Sequence, residues 1–103
     1  MTLAEVMLQN NEPKQALEVS LRLQENLARG EQYESQWQAW LIAARASRRV
    51  GDKPKACEYG QHASDVLTKL QEKWGVEAFK SYLSRPDIQN SRKQLGLILG
   101  KYN

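Results

Sequence analysis

One cysteine, Cys57, leaves no partner for a disulfide within the chain. A stapled extracellular scaffold is therefore excluded, and a reducing, cytoplasmic setting is the expectation. No apolar run approaches the ~18 residues that a membrane span needs, and no signal-peptide pattern opens the sequence, so no membrane role is expected. A single histidine, His62, beside a single cysteine cannot supply the three or four ligands that zinc takes, so no metal and no cofactor are expected. β-branched residues are scarce, which disfavours a sheet. The net charge of +3 is mild, and no long block of Lys and Arg is present. That balance alone does not point to nucleic acid.

Gln, Ala, Leu and Glu are frequent, and all favour helix. At 103 residues one domain is expected, built from local helix–helix contacts. Leu3, Ala4, Met7 and Leu8 form a short apolar stripe that Asn10-Asn11 interrupts. A second helix starts at Asn11 or Glu12, with Pro13 in its first turn, and runs to about Arg29. Its apolar face is Ala16, Val19 or Ser20, Leu23 and Leu27, and Gly30 stops it. Ser35 and Gln38 have capping-box spacing, so a third helix begins near Ser35, or already at Gln32 or Tyr33.

The most informative stretch runs from Trp37 to Trp74. Trp37, Trp40, Leu41, Ala44 and Ser47 recur at helical steps. Gly51 can take the left-handed conformation that ends a helix, Asp52 is a good N-cap, and Pro54 suits a first turn. The next helix repeats Ala56, Tyr59 or Gly60, Ala63, Val66 or Leu67, Leu70 and Trp74. Small residues at Ala43, Ala44, Ala56, Gly60 and Ala63 would let the two helices approach closely. After Gly75, Val76, Phe79, Tyr82 and Leu83 mark a short fifth helix. Pro86 and Asp87 restart the chain into a sixth, with Ile88, Ser91 or Arg92, Leu95, and Ile98 or Leu99 on one face.

Trp40, Ala44, Gly51, Ala56, Gly60 and Ala63 resemble the tetratricopeptide repeat. Ser47 stands where that family has an aromatic, Gly60 where it has a larger apolar residue, and Thr68 where it has proline. A shift of forty residues places Ala4 over Ala44, Asn11 over Gly51, Ala16 over Ala56, Glu18 over Glu58 and Leu27 over Leu67. The family's usual period is ~34, so this repeat is a long variant. The resemblance implies an all-α, right-handed stack of five or six helices in antiparallel pairs. Residues 1–30 would be a first, truncated repeat, 33–74 the best match, and 76–103 a pair of capping helices, which stacked repeats need. Long repeats of this kind are similar to those of bacterial multidomain signalling proteins and transcription regulators, so the chain is expected to be a piece of a larger protein or to self-associate.

The basic cluster Arg45, Arg48, Arg49, Lys53 and Lys55 is the most concentrated charge. The resemblance implies a concave groove lined by Gln38, Leu41, Arg45 and Arg48, with Arg49 in support, binding a protein or an acidic peptide. Two guanidiniums on one face can hold a carboxylate bidentately. The plainer alternative is a solvated end of the third helix, where cations complement the helix dipole. Nucleic acid is a weaker alternative. Arg92, Lys93 and Lys101 on the sixth helix are its candidate residues, but Asp87 and the apolar run Leu95–Leu99 read as packing.

Aromatics at helical spacing usually bury large area, so Trp40 is expected in the core and Trp37, nearer the helix start, at an edge. Cys57 is expected to be a small packed side chain. It lies five residues from His62, about 140° around a helix, too far for a thiolate–imidazole pair. A surface pairing of His62 with Glu58 is expected instead. The carboxylates Asp65, Glu72 and Glu77 flank no evident cleft. Gly96 and Gly100 lack the Lys-Ser/Thr ending of a phosphate loop. A non-catalytic protein follows as the expectation.

Overall fold

A computed structural model describes residues 3–30 and 32–100. Lys101, counted above as a candidate nucleic-acid contact, lies outside the described residues. The chain is all-α, with α1 (Leu3–Gln9), α2 (Pro13–Arg29), α3 (Tyr33–Arg49), α4 (Lys53–Trp74), α5 (Val76–Leu83) and α6 (Pro86–Leu99). The third helix starts at Tyr33, two residues before the capping-box serine, and no side chain caps it. Asp52 caps α4 by accepting the Lys55 backbone N–H.

The two turns that precede α2 and α4 are the same motif forty residues apart. Asn11 and Gly51 both take positive φ, 63° and 88°. The Asn11 N–H reaches the Leu8 carbonyl and the Glu12 N–H reaches Met7. In the second turn Gly51 reaches Arg48 and Asp52 reaches Ser47. This is the Schellman closure, in which the last carbonyls of a helix are satisfied by the two residues after it.

α3 is the central helix. It packs on α2 along one side and α4 along the other, and also touches α1 and α6. Its burial runs around most of its circumference, including Ala39, Ile42, Ala43, Ala46 and Ser47. Trp37, Leu41 and Ala44 join Ala56, Ala63, Val66, Leu67 and Leu70 of α4 in the main core cluster. Phe79 and Tyr82 of α5 and Ile88, Leu95 and Ile98 of α6 complete it. A smaller cluster of Leu8, Ala16 and Ala46 joins α1, α2 and α3. Among the described residues no helix is long and apolar enough to cross a membrane.

Four local expectations are corrected. Trp37 is fully buried and Trp40 is the half-buried one, because Tyr82 of α5 covers Trp37. Trp40 instead stacks on Tyr59 and His62 of α4, with centroids 5.6 and 4.5 Å away. His62 therefore lies against Trp40 rather than pairing with Glu58, whose carboxylate meets Lys55 at 3.1 Å. Cys57 is exposed rather than packed, with its Sγ 3.8 Å from the Ile98 carbonyl. Gly60 does face a close neighbour, but that neighbour is the end of α6 and not α3. A Cβ there would sit 3.1 Å from Leu99 and 3.3 Å from Ile98.

Candidate functional site: the groove along α3

Positions 38, 41, 42 and 45 follow helical spacing and share one side of α3. That side forms the floor of an open groove of about 740 Å³. α1 contributes Glu5 and Gln9 to its walls, and α2 contributes Leu23 and Leu27. The opposite wall is Tyr82 of α5, Arg85, and the α6 side chains Asn90, Ser91 and Gln94. Beyond Arg45 a second hollow of about 420 Å³ is lined by Arg45, Arg48, Arg49, Gln94, Leu97 and Ile98.

The residues expected at the site have different surroundings. Gln38 and Arg45 are half-buried groove residues, and Arg48 is exposed in the adjoining hollow. Leu41 borders the groove, yet it is only 2% exposed and belongs to the main core. It can shape the floor but offers a ligand almost no surface. Arg49 is exposed, and its guanidinium donates to the Leu8 carbonyl at the end of α1. It bridges two helix C-termini, which is structural work that a ligand would have to compete with.

Arg45 shares the groove with Glu5, Glu34, Arg85 and Asp87. Burial pushes its pKa below the ordinary arginine value, Glu5 opposes that shift, and Arg49 adds to it. Its guanidinium makes no hydrogen bond among the described residues. A partly desolvated cation without hydrogen bonds gains most from an incoming carboxylate. At the other end Arg85 donates to Asp87 at 3.2 and 2.8 Å and lies 5.7 Å from the Tyr82 ring centre. That hydrogen bond, with the nearby charge, holds the Asp87 carboxyl below its ordinary range. Glu34 lines the same end.

Among the described residues no histidine, cysteine or lysine lines the groove. Among the described residues no group of three His, Cys, Asp or Glu could hold a metal ion. Glu5, Asn90 and Gln94 were not singled out in the sequence, and Leu23, Leu27 and Tyr82 were read only as apolar helix faces, because their place at the groove depends on how the other helices pack around α3. No protein-family model matches the chain, and no curated protein or solved structure matches it.

Proposed function

We propose that the chain is a non-catalytic scaffold that holds a segment of a partner protein along the α3 groove. Arg45, Arg48 and Gln38 supply the polar contacts, and Arg49 holds the arginine end in place. The observation that carries this reading is the half-buried Arg45 guanidinium, which lines the groove with the Glu5 charge nearby and makes no hydrogen bond among the described residues. The two identical turns support a short stack of helix pairs akin to the tetratricopeptide repeat, with α5 and α6 as its closing pair. A cytoplasmic setting suits the exposed free thiol of Cys57.

The test is a fluorescence-polarisation titration of the full chain with a labelled acidic peptide. Affinity should fall as salt is raised, since exposed charge pairs are screened. Arg45→Ala should weaken binding about tenfold, and Arg48→Ala by less. Binding that ignores both salt and Arg45→Ala would remove the basis of the proposal.

A further inference from the structure

Three arginines of α3 line one hollow that holds no carboxylate among the described residues. Beyond the groove, Arg45, Arg48 and Arg49 face Gln94, Leu97 and Ile98 of α6 across it. The described ion pairs join Arg22 to Glu18, Lys55 to Glu58 and Arg85 to Asp87. None of the three arginines belongs to one.

Their setting is not that of a solvated helix end. The Ala46, Ser47 and Arg48 carbonyls at the end of α3 already accept from the Val50, Asp52 and Gly51 N–H groups. No arginine is needed to satisfy them. Arg45 is half-buried. Arg49 is tethered to the Leu8 carbonyl, and a guanidinium has further donors to offer. Burial lowers the Arg45 pKa, the Glu5 charge raises it and the Arg49 charge lowers it again, so the neighbouring cations repel one another.

Glu5 decides which anion fits. It lines the groove but not the hollow, so it stands on the groove side of Arg45. Its charge offsets one of the three positive charges, and two remain. A carboxylate brings one negative charge and leaves the hollow positive. A phosphate monoester brings about −1.5 to −2 at neutral pH and three acceptor oxygens, which guanidinium forks match.

We infer that the hollow takes a phosphorylated side chain of the partner segment, its phosphate held by Arg45, Arg48 and Arg49. An apolar neighbour of that side chain lies on Leu97, which is 49% exposed. The inference rests on the scaffold reading above and names the group that anchors the segment. A nucleic acid fits less well, because its backbone would carry further phosphates along the groove past Glu5, Glu34 and Asp87.

The probe is a fluorescein-labelled peptide in three forms, with phosphoserine, glutamate or serine at one position and leucine after it. Each form is titrated into the full chain and into Arg48→Gln. Arg48 is exposed, so this variant should keep its helicity by circular dichroism. The phosphoserine form should bind at least about tenfold tighter than the glutamate form, and Arg48→Gln should remove most of that advantage. The advantage should also shrink between about pH 7.5 and pH 5.5, as the phosphate takes up its second proton near pH 6. An advantage untouched by Arg48→Gln overturns the inference. Equal binding of the phosphoserine and glutamate forms, both weakened by Arg45→Ala, overturns it too and leaves the scaffold reading standing. If no form binds, both fall. Inorganic phosphate should displace the peptide only in large excess. Inorganic phosphate or a single-stranded oligonucleotide that binds as tightly as the phosphoserine peptide overturns the inference.

Discussion

The indole N–H of Trp37 donates to the Tyr82 hydroxyl at 3.0 Å, joining the start of α3 to α5 inside the core. Trp37 is 0% and Tyr82 6% exposed, so water cannot replace either partner. Tyr82→Phe would leave a buried donor unpaired. A loss of about 1–3 kcal/mol is expected, read as a shift of the urea midpoint. A variant as stable as the parent would mean that the indole finds another acceptor.

The same pair makes stability depend on alkaline pH. Burial, the largest cause, raises the Tyr82 pKa, and the Trp37 hydrogen bond works against it. The neutral phenol is thus favoured in the fold. Its contribution is complete below about pH 10, the ordinary tyrosine value, and is lost as pH rises through the higher folded value. Urea midpoints should fall above about pH 10 more steeply in the parent than in Tyr82→Phe. Parallel slopes would place the effect elsewhere.

Ser47 is fully buried, and its hydroxyl has no hydrogen-bond partner among the described residues. An unpaired buried hydroxyl is a desolvation penalty with no return. Ser47→Ala removes it and also favours the helix. The variant should be as stable as the parent or up to about 1 kcal/mol more stable. A clear loss in thermal melting would contradict the unpaired state.

The small residues between α3 and α4 set a limit on size. Ala44 and Ala63 are both 0% exposed and belong to the main cluster. Ala44→Trp or Ala63→Trp should destabilise by at least about 1–3 kcal/mol through overpacking. An unchanged melting temperature would contradict the close helix contact.

Helix positions were legible because their punctuation is local. Asn11, Gly51, Gly75, Pro54 and Pro86 each act through their own backbone, within a turn. The apolar stripes of α3 and α4 were legible for the same reason, since one turn of helix brings their members together. What escaped the sequence was set by return contacts. Trp37 and Trp40 carry the same stripe, and only the return of Tyr82, 45 residues on, decides which is sealed. Gly60 reads as a gap for α3, but the end of α6 fills it. The groove was half legible. Gln38 and Arg45 were put on this face by the resemblance to the tetratricopeptide repeat, whereas Leu23 and Leu27, read only as the apolar face of α2, reach the groove through the packing of α2 on α3.

The two matched turns give a direct test of the repeat. Gly51 sits at φ 88° with nothing within 4 Å of where a Cβ would go, so a side chain there meets backbone strain and no clash. Gly51→Ala should therefore lose about 1–2 kcal/mol, the penalty of a left-handed residue with a Cβ. Asn11 holds the equivalent place at φ 63° and already bears such strain, softened because asparagine tolerates this region. Asn11→Gly should relieve it, with part of the gain offset by the freer unfolded chain, leaving a net rise below about 1 kcal/mol. Opposite signs for the two substitutions, measured by chemical denaturation, are what one motif used twice requires. If Gly51→Ala left stability untouched, the left-handed residue would not be what closes α3, and the equivalence of the two turns would fail with it.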